Sequence, residues 1–246
     1  MFTRSYFQAT RSAWFSYLAA LPLVAAYEVA LLVANAGSFL QVRNGADAIL
    51  DAALRQLGVP ASAVGLLAVT IVVGIVIYAV DRRARRIPLR GRYYAGVLLE
   101  SAIYALGFGT VVAILSLPLM PGEWLRLQSP AGELPLTPAQ WVALSLGAGL
   151  YEELLFRVIA MGGLAAMLRA AGMKRDSAAW LAAIGSAVVF SAFHYVGSLA
   201  DPFTWNSFVF RAMAGLVLAG LYVARGFAVA VYTHAFYDLF LLARAG

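Results

Sequence analysis

The chain of 246 residues is 63% hydrophobic and only 12% charged. Soluble globular domains are usually about half apolar and about a quarter charged, so this composition excludes a soluble protein and predicts a polytopic membrane protein. Cysteine is absent, which excludes disulfides, thiol catalysis and thiolate metal ligands. The formal net charge of +6 comes mainly from arginines in loops. It indicates membrane topology and anionic lipid headgroups rather than a nucleic-acid partner.

Hydropathy predicts seven membrane-spanning helices. In chain order the spans are 14–35, 61–80, 94–120, 139–168, 178–198, 207–224 and 226–243. Between the first two spans, the segment 36–60 is amphipathic and predicts an interfacial helix that ends near Gly58. The sequence therefore predicts an all-α bundle of about seven transmembrane helices with a polar cavity inside the membrane. We expect the chain to form a single integral domain over residues 1–246.

The arginines predict the orientation of the bundle. Basic residues occur in alternate connections, at 4–11, 82–92, 169–175 and Arg225, whereas the other connections after span 3 are nearly neutral or acidic. The positive-inside rule then places the N-terminus in the cytoplasm and the C-terminus outside. The segment Ala34-Asn35-Ala36 is an alternative signal-peptidase site. A retained first helix is favoured, because the apolar run is longer than a signal sequence needs and contains Glu28.

Two adjacent carboxylates, Glu152 and Glu153, lie inside the fourth predicted span. A charge at bilayer depth costs several kcal/mol on insertion, so an acidic pair there indicates function. On an α-helix Glu153 shares a face with Arg157 at i,i+4 with the acid first, which predicts a structural ion pair. Glu152 points about 100° away and is left for a group on another helix.

The two histidines of the chain each have a companion one helical turn away. His194 follows Phe190 in the fifth span, and His234 precedes Asp238 in the seventh. A lone histidine on an apolar helix is more often a packed core residue than a catalyst. Here carboxylate and imidazole occur together on successive spans, and they are the groups needed to activate a water molecule.

The ordered set Glu-Glu-x-x-x-Arg, Phe-x-x-x-His and His-x-x-x-Asp resembles the signature of the CAAX-protease and bacteriocin-processing family. Its members are glutamate-type intramembrane endopeptidases. The resemblance covers about residues 152 to 238 and implies a catalytic core over 139–243. It implies the following roles: Glu152 and His194 activate the attacking water, Glu153 and Arg157 form a supporting ion pair, Phe190 packs beside the histidine, and His234 with Asp238 stabilises the oxyanion.

The last position of the family pattern is often Asn, which is a good donor to an oxyanion. Asp238 donates a hydrogen bond only when it is protonated. When it is ionised, its expected role is to orient His234.

Counting residues from the predicted outer ends of the spans gives the expected depth of the site. It places Glu152, His194 and His234 at about 20, 6 and 14 Å from the outer surface. A shared site should be nearly coplanar, so the sequence requires some span edges or tilts to differ from these values. Glu28, Glu100 and Arg211 also fall within spans, and Arg211 is the expected partner of one acid.

The leading hypothesis is hydrolysis of a peptide bond in a membrane-associated peptide or protein tail, without a cofactor. We expect the protein to reside in a prokaryotic inner membrane. A zinc protease is the minority alternative, because one Glu and two His could hold Zn²⁺ but the His-Glu-x-x-His helix is absent. A non-catalytic immunity or scaffold protein that binds a peptide is a further alternative, and a proton-coupled transporter is another. The sequence leaves the oligomeric state open.

Overall fold

A computed structural model of the chain describes residues 4–38, 40–59, 63–81, 89–120, 136–197 and 200–245. These residues are mainly helical and contain no strand, which confirms the all-α class. Several predicted features lie outside the described residues. They are most of the basic connection 82–92, most of the connection before the fourth span, and the span edges 61–62 and 198.

The helices match the predicted spans closely. In chain order they are α1 (Arg4–Thr10), α2 (Ala13–Asn35), α3 (Gly45–Gln56), α4 (Ala63–Val80), α5 (Gly91–Ser116), α6 (Pro138–Gly147), α7 (Gly162–Ala170), α8 (Arg175–Phe193), α9 (Trp205–Arg225) and α10 (Phe227–Ala245). Four described helical segments are long and apolar enough to cross a membrane, namely Ala13–Asn35, Gly91–Leu119, Arg175–Phe193 and Trp205–Arg225, and Gly65–Val80 is a shorter apolar helix. The protein is an integral membrane protein.

The fourth predicted span is one continuous helix that changes its winding around the carboxylate pair. It begins at a capping box, in which Gln140 N donates to Thr137 Oγ1 and Thr137 N donates to Gln140 Oε1. Two π-helical segments, Ala148–Glu152 and Leu154–Met161, connect α6 to α7. A π-helix bonds each N–H to the fifth preceding carbonyl, so successive side chains turn through a smaller angle than in an α-helix. π segments are rare and occur frequently at functional sites.

Helix α10 lies in the centre of the bundle. It packs against α2, α5, α6, α9 and the first π segment. The apolar run Ala228–Val231 at its start is fully buried. At Gly149, a Cβ would lie 2.6 Å from Ala235 Cβ and 2.7 Å from Val231 O. Glycine is therefore required for this close approach, which brings α10 beside the carboxylate pair.

The structure differs from the expected helices in two ways, in where α8 ends and in how α3 is buried. Helix α8 ends at Phe193 rather than at 198, so His194 is its C-cap instead of an interior residue. The amphipathic segment does form a helix, α3, but Ala46 and Asp47 in its first turn are buried. Asp47 accepts a hydrogen bond from the Tyr27 hydroxyl (2.7 Å) and pairs with Arg43 (2.5 Å). These contacts anchor the start of α3 inside the bundle, while the rest of the helix is more exposed.

We expect Gly149→Ala to destabilise the protein, because the added methyl group overlaps α10 at 2.6 Å. Overpacking of this kind costs about 1–3 kcal/mol. The free energy of unfolding in detergent measures the effect. Gly163→Ala is the matched control, since a Cβ there meets nothing within 4 Å and alanine favours a helix over glycine. Equal stability of the two variants would contradict the close packing of Gly149.

Candidate active site

The residues predicted to form a site come together in the structure. Glu152 and Glu153 lie at the junction of the π segments, His194 caps α8, and His234 with Asp238 lies on α10. Glu152 Oε2 is 3.9 Å from His194 Nε2, so the depths expected for these two residues are wrong by a wide margin. The reason is that the end of α8 lies beside the middle of the fourth span instead of near its outer end.

Among the described residues, the hydrogen-bond and ion-pair contacts of Glu152 lie outside its own helix, as its position on the helix face predicts. One carboxylate oxygen, Oε1, accepts a hydrogen bond from Asn44 Nδ2 (3.0 Å). The other oxygen, Oε2, is buried, has no hydrogen bond to any residue that the structure describes, and faces His194 Nε2. The two oxygens therefore have different environments.

The hydrogen bond of His194 determines its tautomer. Its Nδ1 lies 2.9 Å from the carbonyl oxygen of Phe190. A carbonyl only accepts, so Nδ1 carries the proton and donates it, and in the neutral ring Nε2 is an acceptor. Glu152 Oε2 is an acceptor too when ionised. These two atoms cannot bond to each other, but a water molecule between them can donate to both.

Glu153 joins two cationic groups. Its Oε2 lies 3.0 Å from Arg157 Nε, which places the predicted i,i+4 ion pair in a fully buried environment. Its Oε1 lies 2.9 Å from His234 Nδ1, a contact that the helix geometry alone does not predict. Glu153 thus connects the fourth span to α10.

The second nitrogen of His234 faces Asp238. Its Nε2 lies 3.7 Å from Asp238 Oδ2, which is beyond hydrogen-bond distance. When Nδ1–H donates to Glu153, Nε2 carries a proton only in the imidazolium form. In that form Nε2–H points toward the space beside Asp238, where it can donate to a substrate oxygen.

Phe190 packs among the charged groups, as the resemblance implies. Its ring lies under the Arg157 guanidinium, with the carbon atom Cζ 4.5 Å from the ring centroid. The same ring makes edge contacts with His194 (4.9 Å) and His234 (6.0 Å). A cation over an aromatic face is stabilised by the ring quadrupole. Within the part of the chain that the structure describes, Glu153 contacts the guanidinium as an ion pair at 3.0 Å without hydrogen-bond geometry, and the Phe190 ring adds to its support.

The buried charges balance when His234 is protonated. Two carboxylates, Glu152 and Glu153, then face two cations, Arg157 and His234, in a region where an uncompensated charge is costly. This balance leaves His194 free to be neutral, in the form that its hydrogen bond to Phe190 requires.

Exposure increases from one end of this group to the other. The side chains of Glu153 and Arg157 are 0% exposed, and those of Glu152 and His234 are 9% and 8% exposed. In contrast, His194 is 24% and Asp238 is 28% exposed. The exposed side of this group therefore lies at His194 and Asp238, and the Glu153–Arg157 ion pair lies at its buried side.

The other charges within spans have partners that differ from the expected ones. Arg211 bonds to Asp201 in the loop after α8 and to Ser207, rather than to Glu28 or Glu100. Glu100 pairs instead with Arg225 at 2.5 Å. Arg225 is the last residue of α9. Glu100 therefore lies at the C-terminal end of this helix, whereas Asp201 lies near its N-terminal end.

A zinc site needs at least three protein ligands that converge on one point. Within the described ranges, no three His, Asp or Glu side chains converge in a way that could hold a metal ion. Each histidine bonds to an oxygen of the protein through Nδ1, which leaves its Nε2 free, as is also usual in histidines that bind zinc. These hydrogen bonds therefore do not decide between a zinc site and a metal-free site, and the two are distinguished by the effect of a chelator.

Comparison with protein families identifies the motif region. Residues 134–240 match the model described as "Type II CAAX prenyl endopeptidase Rce1-like". The chain carries an Rce1-like region. This match confirms the resemblance drawn from the three motifs, and it supports peptide-bond hydrolysis as the general activity. No curated protein and no solved structure matches the chain. The Rce1-like region contains every site residue that the sequence predicts. Asn44, which the sequence does not predict, lies outside it.

Asn44 is the site residue that the sequence reasoning missed. It lies 108 positions before Glu152, with which it bonds. A weak signal is present, because Asn directly before an amphipathic run is typical of a helix N-cap. That signal predicts the start of α3 but not its contact with the fourth span.

We expect Arg157→Met to lower the free energy of unfolding by about 3–5 kcal/mol, because it leaves Glu153 buried with one cation fewer. Arg55→Met is the matched control. Arg55 also pairs with an acid at i,i+4, but its side chain is 57% exposed, and such surface pairs contribute about 0–1 kcal/mol. Denaturant titration of the two variants in detergent compares the losses. Similar losses would contradict a buried ion pair at the base of the site.

Proposed function

We propose that this protein is an intramembrane endopeptidase that hydrolyses a peptide bond in a membrane-associated peptide or protein tail. Glu152 and His194 activate the attacking water, and no metal takes part. The observation that carries the proposal is the 3.9 Å gap between Glu152 Oε2 and His194 Nε2, two acceptors that face each other. The Rce1-like match of residues 134–240 supports the class of reaction.

The gap has the size that an attacking water needs. A water oxygen makes hydrogen bonds of about 2.8 Å, so one molecule can reach both acceptors across 3.9 Å. It donates one proton to each and turns an oxygen lone pair toward the open side of the site. Holding the water in this position supplies part of the catalysis, since the reacting atoms no longer have to be brought together.

In the first step, the water oxygen attacks the carbonyl carbon of the substrate. A C–O bond forms, Glu152 takes the proton released from the water, and the carbonyl π electrons move to oxygen. The resulting oxyanion is stabilised by Nε2–H of protonated His234, which Glu153 holds through Nδ1. Asp238 Oδ2 lies 3.7 Å from Nε2 of His234. An ionised Asp238 favours the imidazolium form of this ring.

In the second step, the tetrahedral intermediate collapses. The oxyanion electrons re-form the carbonyl, the C–N bond breaks, and Glu152 returns its proton to the leaving amine. One water is consumed, and a carboxyl and an amino terminus are produced. Glu152 thus acts first as general base and then as general acid, which requires that it face the substrate in both steps.

The substrate is an extended segment that enters from the side of the bundle. The site opens where His194 and Asp238 are most exposed, between the end of α8 and α10. A segment that enters there presents its carbonyl between Nε2 of His194 and Nε2 of His234. Lateral entry from the bilayer suits a tail that is already bound to the membrane.

The test is cleavage of a quenched fluorescent peptide library by purified protein in detergent. We expect Glu152→Gln to lower kcat by about 100- to 10,000-fold, the usual contribution of a general base. Activity of the wild type should survive a chelator. Asp176→Asn is the matched control, since Asp176 is an exposed acid at the start of α8. It lies about 27 Å along the helix from His194, so its activity should stay within about twofold of the wild type.

Each other outcome favours a different function. Chelator-sensitive cleavage would support the zinc alternative. Equal cleavage by wild type and Glu152→Gln would indicate a contaminating protease. Peptide binding without any cleavage would support the immunity or scaffold alternative.

A further inference from the structure

The amide of Asn44 contacts two different parts of the protein. Its Oδ1 accepts hydrogen bonds from Ala46 N (2.9 Å) and Asp47 N (3.3 Å), so the residue is the N-cap of α3. Its Nδ2 donates to Glu152 Oε1 (3.0 Å). Asn44 is therefore bonded to the backbone of α3 and to the proposed general base at once.

The cap fixes which end of the amide faces Glu152. Two backbone N–H groups need an acceptor, so the oxygen must point into α3 and the NH₂ group must point away. The reverse orientation would place donors against donors and an oxygen against the carboxylate. The start of α3 thus determines that Glu152 receives a donor at Oε1.

Two glycines allow α3 to approach both catalytic helices. A Cβ at Gly147 would lie 2.6 Å from the Tyr27 ring and 2.8 Å from Asn44 Cβ. A Cβ at Gly45 would lie 3.1 Å from the Phe193 ring, next to His194 in sequence. The first turn of α3 is therefore packed between the helix that carries Glu152 and the end of the helix that precedes His194.

The first turn is also held by charge. Asp47 pairs with Arg43 and accepts the Tyr27 hydroxyl, and the Tyr27 ring contacts Tyr151 at 5.1 Å between centroids. Tyr151 directly precedes Glu152. The position of Asn44 is thus set by the same residues that pack beside the general base.

We propose that Asn44 is a positioning residue for Glu152, and that the catalytic site extends beyond the Rce1-like region to the start of α3. Asn44 holds Oε1 and leaves Oε2 facing His194 across the water position. This inference rests on the proposed function of Glu152. Without the donor, the carboxylate loses its fixed rotation, and the arrangement that activates water is populated less. Asn44 touches no substrate, so its loss lowers kcat and leaves KM unchanged.

Substitutions at Asn44 separate capping from positioning. Asn44→Ser keeps an N-cap of similar strength but is too short to reach Glu152. We expect it to fold, to lower Tm less than Asn44→Ala because the cap is kept, and to lower kcat by about 10- to 100-fold, the usual effect of losing a hydrogen bond to a charged group. Asn44→Asp keeps both the cap and the size of the side chain and replaces the donor by a second carboxylate. It should lower kcat further than Asn44→Ser.

The matched control for a cap is Ser12→Ala. Ser12 caps α2 by accepting from Phe15 N at 3.1 Å and has no contact with the site. We expect this variant to lower Tm and to leave kcat unchanged, whereas Asn44→Ala should lower both. A Tm for Asn44→Ser as low as that of Asn44→Ala, or a rise of KM at constant kcat, would overturn the positioning role.

The same assay distinguishes this inference from the proposed function. Full kcat in Asn44→Ser, with an active wild type and an inactive Glu152→Gln, would overturn the role of Asn44 alone. Absence of cleavage by the wild type would overturn the proposed function and the positioning role together. The contact has an independent readout, a double-mutant cycle of Asn44→Ser and Glu152→Leu on the free energy of unfolding. Non-additive losses support the hydrogen bond, and additive losses overturn it.

Discussion

Two carboxylates that are adjacent in sequence are buried in an apolar bundle, and the need to compensate their charge determines which elements meet. A carboxylate away from water needs cations or donors within a few ångströms. Glu153 obtains them from Arg157 on its own helix and from His234 on α10. Glu152 obtains one from Asn44 at the start of α3. Helices α3 and α10 and the fourth span are joined through these two side chains.

The winding of the fourth span makes this arrangement possible. The carboxylates lie where two π segments meet, so the angle between adjacent side chains is smaller than on an α-helix. The carboxylates can therefore point into neighbouring regions of the bundle while keeping separate partners. The Ser186 hydroxyl of α8 donates to a backbone carbonyl of the second π segment, Phe156 O, at 2.6 Å. The side chain of α8 thus supports the altered winding directly.

Local sequence rules predict the parts of the site that lie within one helix. The Glu153–Arg157 pair follows from i,i+4 spacing, and the outward direction of Glu152 follows from its neighbouring position. The helix boundaries were predicted to within a few residues, because apolar length is a strong signal in a membrane protein. The end of α8 is the exception. Hydropathy continues through 194–196, but the chain turns there, with Gly197 at a φ of +104°.

Contacts between distant helices were not predictable in the same way. Arg211 was expected to pair with an acid in a span, but in the described structure it bonds to Asp201. Glu100 pairs with Arg225 instead. Both choices depend on helix tilt and rotation, which one sequence does not specify. Asn44 is a similar case, since its cap role is local and its contact with Glu152 depends on how α3 enters the bundle.

The gradient of burial suits the chemistry that we propose. The ion pair at the base is sealed from solvent, so the field of Arg157 and His234 acts in a medium of low dielectric constant, where charges interact more strongly than in water. Only His194 and Asp238 are appreciably exposed, and they lie where water must enter. A site sealed throughout would exclude its own nucleophile, and an open one would weaken the electrostatic stabilisation of the oxyanion. Placing the fixed charges deep and the neutral imidazole at the opening meets both requirements.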